Sequence, residues 1–482
     1  MPSYAFAGPD WPSGPITWSF ATTTYSADQP QYVFSDAITG AYQATVVQAI
    51  QKWASASGLV LQQVPDSPTL AGAPDIRIGF ADLSSASTHV IGSTEWWYTI
   101  SYGNYGIYFN PDVTVRLEDP GELALVPSAG GLAYGGAGGA TFYQVALHEL
   151  GHALGLGHSS APNDVMYSVS TPQNTDLSAS DVAGIRALYP TPSIQLRGVH
   201  SDYLIASVSG GQAYIQDTKP GRDGVQTLAK VGQIKFADGS GLFDPTGAAE
   251  DVARLYQGAF GRAPDLKGLD DNTALVTSNT IGLAALAASF TSSPEFIARY
   301  GQTDTVTFAR QLYANVLHRN PDAAGQQLWA NYTNATSRGD ALLAFSDSLE
   351  NHRQTLPTAG SKDDAEATRL YQAAFNRAPD SAGLALWSGQ LHQGLTADQV
   401  AQGFVLSAEF AKTYSSFDPT GFVRQLYSNV LHRAPDAAGQ QGWLSALAGG
   451  ATRAHVLAGF ADSNENRVAT AGATHDAWVF VG

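Results

Sequence analysis

The 482-residue sequence contains no cysteine. That removes disulfide frameworks, thiolate metal sites and cysteine nucleophiles together. Any bound metal must take nitrogen and oxygen ligands. Cations are scarce as well: 25 Lys and Arg stand against 42 Asp and Glu, a formal net charge of −17. A balance of that sign disfavours nucleic acid and anionic membrane surfaces as partners. No apolar run reaches the roughly 18 residues of a membrane span, so no membrane insertion is expected. The opening MPSYAFAGPDWPSGP has no basic segment ahead of an apolar core and does not read as a signal peptide. Methionine occurs twice, at Met1 and Met166.

Histidine is also sparse, at 11 residues, yet three fall in HELGHALGLGH, from His148 to His158. The preceding TFYQVALHELGHALG spaces its apolar residues as an amphipathic helix does. His148 and His152 are four apart and project from one face, one turn from each other. Two imidazoles so placed can reach the same zinc ion. Glu149 is turned toward the cleft, where it can act as a general base on a water that the metal activates. Gly155 tolerates the positive φ of a sharp turn, which brings His158 back as a third ligand. Three protein ligands leave one tetrahedral position open, the arrangement of a catalytic zinc.

The stretch ALHELGHALGLGHSSAPNDVMYSV closely resembles the zinc-binding segment and methionine turn of the metzincin peptidases, the matrixins above all. The resemblance makes Met166 the hydrophobic floor under the histidines and Asp181, in TDLSASDVAGIRALYP, the carboxylate that braces that turn. Upstream, ITWSF resembles the family's first strand, VVQAIQKWASASGLVLQQV its first long helix and PDIRIGF a central strand. It implies an α+β metzincin catalytic domain, with a mixed twisted sheet and long helices, binding one zinc ion. Its substrates would be proteins or peptides, cleaved by water that Glu149 deprotonates. The substrate would lie extended along an edge strand. For that role EWWYTISY offers Trp96, Trp97, Tyr98, Thr99 and Ile100, rich in strand formers. The departures from the family are a lone upstream His89, no latency cysteine, and Ser180 in place of a second Asp. The glycine-rich PSAGGLAYGGAGGA reads as a long flexible rim of the cleft.

The remaining chain changes character twice. Residues 191–245 read as short strands between Gly, Asp and Pro turns, and calcium has no GGxGxDxUx motif there to hold it. Then LYQGAFGRAPD, LYANVLHRNPD, LYQAAFNRAPD and LYSNVLHRAPD begin at Leu255, Leu312, Leu370 and Leu426. Their arginines, Arg262, Arg319, Arg377 and Arg433, are 57, 58 and 56 residues apart, and alternate copies match best, as in a duplicated pair. Each copy carries a later Ser-x-Glu at Ser293, Ser348, Ser407 and Ser463. Pro-Asp ends one helix and caps the next, so the repeated Arg, Pro and Asp read first as packing and capping residues. The array resembles the bacterial domain of unknown function 4214. The final THDAWVFVG resembles an uncleaved type I secretion signal.

These observations predict five segments: a zinc peptidase domain over 1–190, a short β-rich connector over 191–245, all-α repeat pairs over 246–357 and 358–470, and a C-terminal tail with the export signal over 471–482. The expected protein is a secreted bacterial zinc metalloendopeptidase with helical accessory repeats for binding or surface association, a cell-surface or glycan ligand being their expected partner. The rival is a surface-binding or adhesion protein whose main role lies in the helical repeats.

Overall fold

The structure is a computed structural model. It describes all residues except 1–3, 7–10, 12–13, 23–32, 68–72, 104–105, 129, 136–138, 230, 302, 349, 352–361, 475–476 and 482. Two compact units result. One is Met1–Thr191 with Ala274–Gly282; the other is Pro192–Thr273 with Leu283–Gly482.

The first unit begins with β1 (Tyr4–Phe6), β2 (Ile16–Phe20), helix α1 (Ala41–Ser57), β3 (Leu61–Gln63), β4 (Ile76–Ala81) and the single turn α2 (Ser85–Thr88). It continues with β5 (Gly92–Gly103), β6 (Gly106–Glu118), β7 (Leu125–Ser128), β8 (Gly131–Tyr134), helix α3 (Phe142–Ala153), β9 (Leu156–Ser159) and helix α4 (Ala179–Leu188). Five strands form one sheet in the order β3-β2-β4-β6-β5. All its pairings are parallel except that of β5 with β6. Burial on both faces suits the apolar β2 and β4, every described residue of β4 being buried. Arg77 is tolerated inside β4 because Asp66 accepts from its Nη2 at 2.7 Å.

The sequence expectation of one long helix through Val64 is corrected here. Helix α1 stops at Ser57, where Gly58 takes φ 72° and its N–H bonds Ala54 O. Only glycine enters that left-handed cap without strain, and the chain emerges as β3. Residues 125–134, which overlap the stretch expected as a cleft rim, pair as the β7–β8 hairpin, Leu125 opposite Tyr134, whereas residues 129 and 136–138 of that stretch lie outside the described residues. Helix α1 packs on α3 through Trp53, which is fully buried and donates its indole N–H to Leu147 O at 2.8 Å.

In the second unit, β10 (Ser193–Gln195), β14 (Gln233–Lys235), β15 (Ser240–Phe243) and β16 (Trp478–Val481) form one sheet. The strands β11 (Tyr203–Val208), β12 (Gln212–Asp217) and β13 (Val225–Leu228) form another. The chain's last described residues therefore complete the connector. Gly241 pairs with Phe480, and Trp478, Val479 and Val481 are buried.

Between β15 and β16 lies an all-α array in which each copy repeats one set of contacts. Arg262, Arg319, Arg377 and Arg433 pair with Glu295, Glu350, Glu409 and Glu465 at 3.0, 2.9, 3.0 and 3.1 Å. Each guanidinium also lies over a tyrosine of its own copy, Tyr256, Tyr313, Tyr371 or Tyr427. Asp265, Asp322, Asp380 and Asp436 accept from Gly268, Gly325, Gly383 and Gly439 N–H, capping the next helix as their Pro-Asp context predicts. The glycines were not foreseen. A Cβ at any of the four would stand 2.0–2.6 Å from the tyrosine hydroxyl of its copy.

Candidate metal centre

Helix α3 starts where Thr141 Oγ1 accepts from Gln144 N–H, an N-cap. The far end is closed by side chains from distant segments. Trp11 Nε1 donates to Ala153 O at 2.9 Å and the Tyr189 hydroxyl to Leu154 O at 2.9 Å, satisfying carbonyls that the helix cannot. Gly155 then turns with φ 97°, and β9 carries His158 back past the helix, paired with β1.

The result is one cluster. A ring nitrogen from each of His148, His152 and His158 lies within 4.8 Å of the others. The Nε2 atoms of His148 and His152 face each other at 3.1 Å. Tetrahedral zinc with Zn–N bonds of 2.0–2.1 Å sets neighbouring nitrogens about 3.3 Å apart, so the pair matches a shared ion. Both other ring nitrogens are engaged: His148 Nδ1 donates to Val165 O and His152 Nδ1 to Leu156 O, each at 2.7 Å. That fixes the tautomer and leaves the Nε2 lone pairs for a metal. Burial holds His148 down to about 4, with His158 adding to the effect and the Val165 bond opposing it. Burial lowers His152 likewise, His148 next to it contributing. Both shifts favour the neutral imidazole that a metal ligand must be.

Glu149 points toward β5, where Thr94 Oγ1 lies 2.7 Å from its Oε2. It is buried, and burial raises its carboxyl above the ordinary range against the opposing pull of His152, Thr94 and Arg116. Met166 is fully buried beneath α3. It approaches at Gly151, where a Cβ would meet its Sδ at 2.3 Å, so the small residue inside HELGH is a packing requirement. Asp181 is fully buried and accepts from Val165, Met166 and Ser178 N–H at 2.9, 3.3 and 2.8 Å. A second carboxylate escaped the sequence reading. Asp164 accepts from Ser159, Ser178 and Ser180 Oγ at 2.5, 2.7 and 2.5 Å. Only the folded turn brings those three hydroxyls together, and nothing in the spacing of SSAPND signals it.

Strand β5 is the edge of the five-stranded sheet. Trp96 through Ile100 lie on it, registered against Val113 through Phe109 of β6. Trp96 is half-buried; the side chains of Trp97 to Ile100 lie outside the described residues.

Residues 11–190 match the family model for matrixins, and residues 287–355, 359–414 and 401–469 match that for DUF4214, a domain of unknown function. Among curated proteins, rat (Rattus norvegicus) matrilysin is 29% identical over 198 residues, 38% of this chain and 59% of that protein. Human matrilysin is 54% identical over 54 residues, 11% of this chain and 20% of its own length. The metalloendoproteinase 1-MMP of Arabidopsis thaliana is 30% identical over 188 residues, 38% of this chain and 48% of its own. The chain thus spans between a fifth and three-fifths of these relatives' lengths. Residues 11–190 form a matrixin domain, and the helical region after it carries DUF4214 repeats.

Proposed function

We propose that the protein is a zinc metalloendopeptidase whose metal is held by His148, His152 and His158. The observation that carries this reading is the facing pair of Nε2 atoms at 3.1 Å, each ring locked by a 2.7 Å bond from its Nδ1. Zinc bound there would supply Lewis-acid polarisation of a peptide carbonyl and would lower the pKa of water, easing its deprotonation. Glu149 takes the proton of the attacking water and returns it to the leaving amine. Met166 supports the ligand rings from below, and Asp181 holds the turn that carries Met166. The substrate, a protein or peptide, adds as a further strand along Trp96–Ile100. The edge position of β5 supports this, because one side of the strand pairs with β6 and the described residues place no strand on the other.

We take residues 1–190 as the catalytic module, 191–245 as connector and the repeat pairs 246–357 and 358–470 as scaffold. Their recurring Arg, Glu, Tyr and Asp side chains are committed to one another within each copy, which favours scaffold over adhesion. Action outside the cell belongs to the same reading, supported by the resemblance of residues 476–482 to an export signal. Among the described residues no helix is long and apolar enough to cross a membrane.

The test is zinc content with peptide hydrolysis in the full chain. His158→Ala should lose zinc and activity together. Glu149→Gln should keep zinc and lose about 10²–10⁴-fold in kcat, the scale of general-base removal. Wild-type turnover by the Glu149→Gln protein would sink the assignment of the base, and full zinc content in His158→Ala that of the third ligand.

A further inference from the structure

We propose that Thr94 on the edge strand β5 is a positioning residue that aims the Glu149 carboxylate, and that Gly92 leaves the space in which this carboxylate sits. The inference rests on the peptidase reading above.

Thr94 Oγ1 lies 2.7 Å from Glu149 Oε2 and 2.9 Å from the Glu149 backbone oxygen. A buried carboxylate needs donors, and Thr94 is the only hydrogen-bond donor to this one among the described residues. Oxygen Oε2 is thereby occupied. Oxygen Oε1 receives no hydrogen bond from the described residues and is the one left for water. Glu149 reaches its place through three rotatable bonds, so without an anchor its carboxylate would sample several rotamers.

Gly92 completes the fit. A Cβ built there would stand 2.5 Å from Glu149 Oε1, 2.7 Å from Glu149 Cγ and 2.8 Å from Val145 Cγ1. The requirement is therefore spatial, set first by the Glu149 side chain and then by Val145. Residues two apart on a strand share a face. Gly92 and Thr94 face α3, whereas Ser93 and Glu95 on the opposite face engage Arg116. The strand proposed to take the substrate therefore also holds the base. Its backbone sets the distance from the extended peptide to the atom that handles the proton. This is how proximity is converted into rate: a misplacement of about 1 Å costs on the order of 10²-fold.

The bland alternative is that Thr94 merely ties sheet to helix through the Glu149 carbonyl. Thr94→Val keeps the shape and removes the hydroxyl. With zinc-loaded full-length protein and a fluorogenic peptide, its kcat should fall about 10- to 100-fold while KM stays within about twofold. Zinc affinity, titrated separately into the metal-free protein, should not change. Thr94→Ser should recover most of the loss. Adding Thr94→Val to Glu149→Gln should cost nothing further, because the group being aimed is no longer a base. Gly92→Ala should lower kcat with zinc retained.

Wild-type kcat in Thr94→Val overturns the proposal. So does a Thr94→Ser protein no better than Thr94→Val, or a loss that adds fully to that of Glu149→Gln. Loss of zinc affinity in Thr94→Val would give the hydroxyl a structural role and overturns it too. If the wild-type zinc protein cleaves no peptide, the peptidase reading itself fails, an outcome visible before any Thr94 variant is made.

Discussion

Removing the Asp181 carboxylate should weaken zinc binding although Asp181 touches no ligand. Three N–H groups converge on it, the buried ones of Val165 and Met166 and the half-buried one of Ser178. The Val165 residue is bonded at both ends: its N–H to Asp181 at 2.9 Å and its C=O to His148 Nδ1 at 2.7 Å. In Asp181→Ala the three donors lose their acceptor. Each bond to a charged acceptor contributes about 1.5–3 kcal/mol. The variant is also relieved of burying a charge and gains some relaxation, so the net destabilisation should be about 3–5 kcal/mol, short of the full sum. Once the Met-turn backbone is released, Val165 O no longer aims the His148 ring. Loss of such a supporting contact costs about 10- to 100-fold in metal affinity. Competition against a chromophoric chelator measures the affinity. Hydrogen exchange over residues 142–190 of the full chain reports the stability of this region. An Asp181→Ala protein that binds zinc as tightly as wild type would refute the chain of contacts from Asp181 through Val165 to His148.

Two further outcomes concern the second unit. His392 donates to Asp347 at 2.7 Å and lies 3.5 Å from Asp363, and the bonds to these two carboxylates push it up to about 10. Its folded value lies above its unfolded one, so its contribution is fully present below about pH 6.5 and is lost as pH rises through about 10. His392→Gln should flatten the decline in melting temperature across that window, by an amount kept small by the ring's exposure to solvent; parallel pH curves for the two proteins would contradict this. Trp478→Ala removes a buried indole from the connector core and should destabilise that region by about 3–5 kcal/mol, read as protease sensitivity of residues 192–243, and a variant as resistant as wild type would mean that β16 does not seal the connector.

The chain determined a good deal by local rules. Ligand spacing is a property of the helix: residues four apart share a face wherever the helix lies, so His148 and His152 could be paired from the letters alone. Gly155 had to turn, the repeat Asp residues had to cap, and the 56- to 58-residue period had to produce equivalent helical units. Other features depend on residues that meet only after folding. Thr94 and Gly92 reach Glu149 across 55 and more positions of sequence, and no periodicity marks them. The three hydroxyls on Asp164 converge from both sides of the Met-turn. The final Trp478–Val481 segment has the pattern of a free apolar tail, yet it pairs with Ser240–Phe243 because the exposed edge of β15 and its apolar face need a partner. Contacts of short range are written in the spacing of residue types; contacts that close long loops, such as these, are decided by which surfaces the packed units leave to be covered.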